Sequence, residues 1–237
     1  MARPRQIEQL LERQARSWEV RRKLAGEGGE AARRALVHLQ EGPWVSVSRQ
    51  WGSGGRQMAV ELGSRLGWQV YDREILTEMA QQADLREAIL SRIERRSLDT
   101  FGEYIAHLVA GDPVRPAYAQ EMMQVVWGLA RQGQAVILGR GANWFLEPAF
   151  GFRVRVVAPL ERRLARLVER DGMEEEAART ETLDNDAQRK DFVRKFFDRD
   201  IDDPLGYDVV VNLGDIDEQT AVNMVHSALR AKLQAAD

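Results

Sequence analysis

The stretch VSVSRQWGSGGRQM, residues 45–58, decides the fold of this chain. A short apolar strand enters a glycine-rich turn, and the pattern of an amphipathic helix follows. This order is typical of a phosphate-binding loop, in which backbone N–H groups and a helix N-terminus surround an anion. The lysine of the usual signature G-x-x-x-x-G-K-[ST] is missing, however. When the glycines are aligned, Gly55 stands at the lysine position and Arg49 at the position of the first glycine.

The composition indicates a globular protein and excludes several kinds of site. The 237 residues are 44% hydrophobic and 30% charged, which suits one α/β domain with an appendage. A net charge of −3 gives no support for a nucleic-acid partner. The chain has no cysteine and only three histidines, which excludes disulfides and a cysteine nucleophile and argues against a zinc site. No apolar run approaches the roughly 18 residues of a membrane span, and the N-terminus is charged, so we expect a cytoplasmic protein without a membrane partner.

Residues 3–40 have the pattern of two helices that lie outside the main domain. Apolar residues recur at helical spacing in the first of them, at Ile7, Leu10, Leu11, Ala15 and Trp18. A glycine-rich break follows, and the second helical run, 31–39, stops at Gly42 and Pro43. An apolar stripe of this kind must be buried against something. It either packs on the chain's own domain as a helical hairpin or forms a docking or dimerisation arm.

After residue 43, predicted strands alternate with predicted helices. The strands are 44–48, 68–71, 135–138, 152–157 and 208–212. The helices are 58–66, a long helical region over 73–131, one from residue 160, one over 173–200 and one over 217–235. This alternation predicts a parallel sheet with helices on both faces.

Polar residues follow three of these strands, at the sheet edge where ligands of open α/β folds bind. These residues are Ser48-Arg49, Asp72-Arg73 and Gly139-Arg140-Gly141. The planar guanidinium of arginine can hold a phosphate through two hydrogen bonds. Arg140 could instead be an ordinary surface residue after a turn. Three strand ends that converge on one sheet edge favour a phosphate site.

Two charged helices follow the fourth predicted strand. Arg162, Arg166 and Arg170 share one face of the first helix, which either lies in solvent with salt bridges or faces a ligand. In the second helix, Asp186 and Arg189 can meet on one face. Its dense charge suits either a mobile lid that brings cations onto a polyphosphate or a helix stabilised by ion pairs.

With these residues in view, the chain resembles the cytidylate kinase-like family of P-loop nucleoside monophosphate kinases over residues 44–229. The resemblance rests on an ordered set of segments: Ser48–Arg56, Tyr71–Glu74, Gly139–Gly141, Ala158–Arg163, Asp186–Arg189 and Asp203–Asp208. It implies the α/β fold of P-loop NTPases, with a five-stranded parallel sheet and helices on both faces. A helical N-terminal extension, 1–42, would precede a nucleotide kinase-like domain, 43–237. Within that domain, 72–131 would be a helical insertion that binds the monophosphate, and 171–200 would be a short lid.

The resemblance also implies a reaction and its ligands. The chain would transfer a phosphoryl group from ATP to a nucleoside monophosphate, with CMP or dCMP as the favoured acceptor and Mg²⁺ as the metal. Positioning and charge neutralisation do most of the work in such a transfer. Nucleotides would then be the partners of the domain, and the N-terminal helices would be the surface available to a protein partner or a second copy.

The positions that match functional residues of the family fall into three groups. The catalytic positions would be Arg56, Arg140 and Arg189. The positions that bind ATP and its phosphates would be Arg49, Gly52, Ser53, Gly54, Gly55, Arg56, Gln57, Arg162 and Arg166. The positions that bind the acceptor would be Asp72, Arg73, Arg140, Asp186 and Arg189. Gln57 would stand where a serine or threonine holds Mg²⁺, so the resemblance identifies no metal ligand.

The missing lysine leaves the activity open between alternatives. Loss of one preorganised charge of this kind commonly lowers a rate by ~10²–10³. Arg56 could reach round from the adjacent position, or Arg49 could supply the charge from the other side of the loop. If neither does, the chain would be a nucleotide-binding sensor or regulatory protein with little kinase activity. A phosphotransferase for another small acceptor is the third alternative.

Overall fold

The structure is a computed structural model that describes residues 43–91, 93, 95–109 and 116–234. The predicted helical extension, 1–42, and its expected role as a docking arm lie outside the described residues. None of the helices in the described part of the chain is long and apolar enough to span a membrane.

A five-stranded parallel sheet forms the centre of the molecule. The strands are β1 (Trp44–Arg49), β2 (Gln69–Tyr71), β3 (Ala135–Leu138), β4 (Gly151–Val157) and β5 (Val209–Asn212). Their order across the sheet is β2-β3-β1-β4-β5, and every neighbouring pair is parallel. The strands are mostly apolar because helices cover both faces of the sheet. The predicted strands and the predicted fold are confirmed.

Nine helices complete the described part of the chain. They are α1 (Gly55–Leu66), α2 (Arg73–Gln81), α3 (Ala83–Leu90), α4 (Arg95–Val109), α5 (Pro116–Gln132), α6 (Ala142–Phe145), α7 (Leu160–Asp171), α8 (Glu175–Phe197) and α9 (Glu218–Gln234). Helices α1 and α9 pack on one face of the sheet through Met58, Leu62, Val222 and Val225. Helices α2 to α6 pack on the other face. Two hydrophobic layers therefore hold the sheet between them and leave its carboxyl edge free.

The ends of the first two helices are set by residues at the carboxyl ends of strands. α1 begins at Gly55, three residues before the predicted start, because the glycine turn leads directly into the helix. Gly54, at φ 85°, makes that turn in the left-handed region that favours glycine. α2 begins at Arg73 because the Asp72 carboxylate accepts a hydrogen bond from the Ile75 N–H and caps the helix.

The predicted charged helix over 173–200 is the continuous helix α8, 23 residues long. Its C-terminal end packs on the core beside α6 through Phe196, which is buried, and through Phe192 and Phe197. The charged middle of the helix runs past the glycine loop, where Asp186 accepts a hydrogen bond from the Trp51 N–H. α8 therefore joins the glycine loop to the opposite face of the sheet. Whether it moves as a lid stays a prediction.

Candidate active site

A cavity of about 730 Å³ lies at the carboxyl ends of β1, β2 and β3. Its lining includes the polar residues that follow those strands: Arg49, Asp72, Arg73, Gly139, Arg140 and Gly141. The sequence therefore predicted correctly that these strand ends converge. Helix α8 closes the opposite side with Asn185, Gln188 and Arg189. Asn185 and Gln188 are polar lining residues that the sequence did not single out.

The backbone of the glycine loop is shaped to hold an anion. Gly52 and Gly54 have φ angles of 71° and 85°, and the Ser53 hydroxyl donates to the Gln50 carbonyl oxygen at 2.8 Å, which tightens the turn. Among the described residues, none accepts a hydrogen bond from the backbone N–H groups of Gly54, Arg56 and Gln57. Three donors at the start of α1 are therefore available to phosphate oxygens, and the helix dipole favours a negative charge there.

The Arg49 side chain runs between two glycines that are distant in sequence. A Cβ atom placed on Gly55 would lie 2.7 Å from the Arg49 Cβ, and one placed on Gly139 would lie 2.6 Å from the Arg49 Nη1. The side chain thus starts beside the glycine loop and ends at the turn after β3. The pKa of Arg49 is lowered to about 9, mainly by burial and also by Arg189, Arg140 and Arg56, against the opposing effect of Glu74. The guanidinium is held in a site that is short of negative charge.

Arg140 and Arg189 add positive charge on either side of Arg49. Arg140 lies in the left-handed region at φ 58° and donates to the Thr77 hydroxyl at 2.7 Å. Arg189 donates to the Arg49 carbonyl oxygen at 2.7 Å and lies over the Trp51 ring. Burial lowers the pKa of both side chains, and Arg73 lowers both further. A bound anion would relieve this mutual repulsion.

Arg56 lies at the mouth of the cavity and is already paired. Its guanidinium is 2.7 Å from an Asp72 carboxylate oxygen, and its side chain is 62% exposed while that of Asp72 is 16% exposed. Burial alone would raise the pKa of Asp72, but the hydrogen bonds from Arg56 and from the Ile75 N–H hold it below its usual value. The pair spans from α1 to the cap of α2. Arg56 therefore stands beside the space that a lysine would enter and does not fill it.

Asp186 supports the glycine loop from behind and does not line this cavity. Its carboxylate accepts a hydrogen bond from the Trp51 N–H at 2.8 Å and forms a short ion pair with Arg163. Arg163 is buried and also donates to the Trp51 carbonyl oxygen at 3.3 Å. The expectation that Asp186 contacts the acceptor nucleotide finds no support in this arrangement, because both carboxylate oxygens are engaged by the loop and α7. Arg163, which ends one of the segments of the resemblance, was not predicted as a site residue, although it contacts the glycine loop.

Two arginines of α7 were expected to bind ATP. One of them, Arg166, contacts the glycine loop, and the other, Arg162, lies in solvent. Arg166 donates to the Ser53 carbonyl oxygen at 3.0 Å and to the Leu213 carbonyl oxygen at 2.8 Å, so it fixes the loop against the end of β5. The Arg162 side chain is exposed, and no described residue forms a hydrogen bond or an ion pair with it. The helical face predicted to carry both arginines is therefore turned so that only Arg166 reaches the loop.

Arg155 is a second buried arginine that the sequence did not identify. It lies within β4 and donates to the Ser48 hydroxyl at 2.9 Å and to the Asp202 carboxylate at 2.9 Å. It thereby fixes the end of β1 immediately before Arg49. The sequence does contain a signal for it. Arg155 stands between two valines of a predicted strand, and a charge buried in a strand requires a partner.

The described residues include no group of three or more acidic, histidine or cysteine side chains that could hold a metal ion. Counted along the signature from Gly54, the position of the metal-binding hydroxyl is Arg56, not Gln57 as the sequence comparison suggested. Both side chains are exposed, and neither carries a hydroxyl. The loop itself therefore lacks the usual Mg²⁺ ligand.

Comparison with known proteins agrees with this geometry. The model of the cytidylate kinase-like family matches residues 44–215. A cytidylate kinase from Archaeoglobus fulgidus is 23% identical over 189 residues, which are 79% of this chain and 95% of that protein. One from Ignicoccus hospitalis is 25% identical over 185 residues, which are 78% and 98% of the two chains. The crystal structure of an uncharacterized protein from Eubacterium ventriosum has the same fold, with a TM-score of 0.66 at 23% identity over 79% of this chain and 98% of that one. Because the family model spans most of its length, this chain belongs to the cytidylate kinase-like family.

Proposed function

We propose that this member of a nucleotide kinase family transfers the γ-phosphoryl group of ATP to a nucleoside monophosphate, with CMP or dCMP as the favoured acceptor. The observation that carries the proposal is the charge of the cavity. Arg49, Arg73 and Arg140 line it, and none of them has an ion-pair partner among the described residues. Unpaired arginines that share a half-enclosed site favour a ligand with several negative charges, as two nucleotides side by side would provide.

The two ends of the cavity suit the two substrates. The glycine loop offers backbone N–H groups at the start of α1, which suit the phosphates of ATP. Arg73 and Arg140 lie across the cavity at the ends of β2 and β3, which suits the phosphate of the acceptor. Asp72 would lie near the acceptor nucleoside. Arg189, which donates to the Arg49 carbonyl oxygen from α8, would stabilise the negative charge that moves during transfer.

Mg²⁺ would enter this site with the nucleotide. The described residues form no acidic cluster, and the Asp72 carboxylate is already paired with Arg56. A metal ion bound here would take most of its ligands from phosphate oxygens and water, as Mg²⁺ commonly does. The arginines would supply the remaining neutralisation of charge. A cytoplasmic location, where these nucleotides are abundant, stays a prediction.

The test is an assay of ADP release with ATP, Mg²⁺ and a panel of CMP, dCMP, UMP, AMP and GMP. We expect turnover with at least one acceptor and the highest kcat/KM with CMP or dCMP. Arg140→Ala should lower that value, and Arg170→Ala, which removes an exposed guanidinium paired with Asp171, should not. Absence of turnover with every monophosphate would refute the proposal.

A nucleotide-binding sensor is the second candidate, and one observation favours it. The lysine position of the loop is Gly55, and the adjacent Arg56 is held by Asp72. A protein of this kind would bind ATP and a monophosphate in calorimetric titrations and release no ADP. The same two measurements therefore separate the candidates.

A further inference from the structure

We propose that Arg49 and Gly55 are a reciprocal exchange of the glycine and the lysine of the phosphate-binding signature, and that the Arg49 guanidinium carries the charge of the missing lysine. In the signature, the first glycine falls at position 49 and the lysine at position 55. This chain has arginine and glycine at those positions, respectively. The inference deepens the proposed function, because it assigns the residue that holds the phosphoryl group in transit.

The first step of the argument is steric. A Cβ atom on Gly55 would lie 2.7 Å from the Arg49 Cβ and 3.1 Å from the Val156 Cβ. Real Cβ atoms do not approach one another as closely as the 2.7 Å to Arg49, and the Arg49 Cβ cannot move without its backbone. Positions 49 and 55 can therefore carry only one side chain between them. The lysine is absent because the arginine occupies its space.

The second step is the direction of the Arg49 side chain. Its Nη1 lies 2.6 Å from the place that a Cβ of Gly139 would occupy. The guanidinium therefore lies at the turn after β3, in the cavity and beside Arg140. The residues that line the cavity with this turn include Arg73 and Arg140, which we propose for the acceptor, and Trp51 and Arg56 of the glycine loop. A planar guanidinium there can contact a phosphate on the loop and one on the acceptor side through different N–H groups.

The third step excludes Arg56, the other arginine beside the loop. Arg56 is 2.7 Å from the Asp72 carboxylate and is 62% exposed. Arg49, in contrast, is half-buried, and no described residue forms an ion pair with it. Its lowered pKa shows that the site opposes the charge until an anion arrives. Of the two arginines, only Arg49 lies half-buried in the cavity without an ion-pair partner among the described residues.

The experiment restores the usual arrangement of the loop. Calorimetry measures the binding of ATP and of tripolyphosphate to wild type, Arg49→Gly, Gly55→Lys and the double variant Arg49→Gly/Gly55→Lys. We expect Arg49→Gly to bind both ligands at least about tenfold more weakly, as the loss of a charge-assisted contact implies. Gly55→Lys alone should also lose binding, because its Cβ displaces Arg49. The double variant should recover at least about tenfold over Arg49→Gly, since the contact with the Arg49 Cβ is then gone and the 3.1 Å approach to the Val156 Cβ requires only a small shift.

Two controls separate a loss of folding and a general loss of positive charge from the loss of the Arg49 contact. Circular dichroism establishes that each variant is folded, and Arg170→Gly removes one positive charge from an exposed pair with Asp171 and should bind as wild type does. Tripolyphosphate binding by Arg49→Gly within twofold of wild type would overturn the assignment. A folded double variant that binds tripolyphosphate no better than Arg49→Gly would overturn the proposed exchange of roles between positions 49 and 55.

The binding experiment tests the assignment of Arg49 separately from the proposed kinase activity. If wild type binds tripolyphosphate through Arg49 and phosphorylates no nucleoside monophosphate, the assignment of Arg49 stands and the proposed kinase activity falls. If wild type turns over and Arg49→Gly keeps its affinity and its rate, the kinase activity stands and the assignment of Arg49 falls. Failure of wild type to bind either polyphosphate would overturn both.

Discussion

Replacing Arg49 by methionine should make the ligand-free protein more stable, although it removes a central side chain of the site. Methionine has a similar length, is flexible and carries no charge. It can follow the path of the arginine stem, which runs between Gly55 and Gly139. The substitution therefore isolates the cost of the buried charge.

The structure sets the size of this cost. Burial and the neighbouring arginines lower the pKa of Arg49 from 12.5 to about 9. Each tenfold change in a protonation equilibrium corresponds to about 1.4 kcal/mol, so the charge costs at most ~5 kcal/mol at neutral pH. Lost contacts of the guanidinium offset part of the gain, and we expect a net stabilisation of ~1–3 kcal/mol. In a domain of this size, that corresponds to a rise in Tm of roughly 3–10 °C.

The dependence on pH has a defined sign. Below pH 9, Arg49 is protonated in both the folded and the unfolded chain, so the folded state bears the full cost. Above about pH 9, the unfolded chain binds more protons, and the stability contributed by this group rises with pH. The advantage of the methionine variant should therefore narrow as the pH rises through this value.

Scanning calorimetry in a buffer free of phosphate and sulfate measures this difference, with Arg170→Met as the control for an exposed, paired arginine. Tripolyphosphate should then raise the Tm of wild type more than that of Arg49→Met, because tenfold weaker binding removes up to about 1.4 kcal/mol of the stabilisation by the ligand. A methionine variant that melts below wild type at neutral pH would refute the reasoning about an uncompensated charge.

Three further predictions concern the acceptor side, the cap of α2 and helix α8. Arg140→Ala should weaken the acceptor monophosphate by roughly 1.5–3 kcal/mol and ATP by less; equal losses in calorimetric titrations would contradict the assignment. Asp72→Asn keeps a helix cap but removes a carboxylate of lowered pKa, whose stabilisation is present above pH 3.8 and is lost as the pH falls through the folded-state value. The gap in unfolding free energy between this variant and wild type should therefore close in acid, and a constant gap would count against the Arg56–Asp72 pair. A bisubstrate analogue should increase protection from hydrogen exchange over 173–200; equal protection in both states would show that α8 is no lid.

The sequence predicted the strands well because the residue pattern that marks a buried strand is local in sequence. Strands buried on both faces are short apolar runs, and polar residues or glycines mark their ends. The convergence of Asp72, Arg73 and Arg140 followed from the rule that parallel strands end at one edge. The start of α1 was predicted three residues late because glycines at its N-terminus hide the helical pattern.

The arrangement of the arginines could not be predicted in the same way. Arg162 and Arg163 are adjacent on α7, and which of them is buried depends on how the helix rotates against the loop. The buried arginine, Arg163, pairs with Asp186, which lies 23 residues away in sequence, and Leu164 and Leu167 pack on the same side of the helix. The path of Arg49 depends likewise on Gly139, which meets it only in the folded sheet. Side-chain direction at such sites is decided by tertiary packing, which composition and spacing do not encode.

The close approach of Gly55 to Arg49 also limits the order in which mutations can occur. Since a side chain fits at only one of the two positions, a lineage that changes from lysine at 55 to arginine at 49, or back, passes through a chain with glycine at both. That intermediate would hold phosphate with its backbone N–H groups and with the surviving arginines at 140 and 189. Because those arginines still bind phosphate, a chain with glycine at both positions would keep part of its function. The other arginines of the cavity would therefore allow the basic residue of the loop to move between positions 49 and 55 by single substitutions.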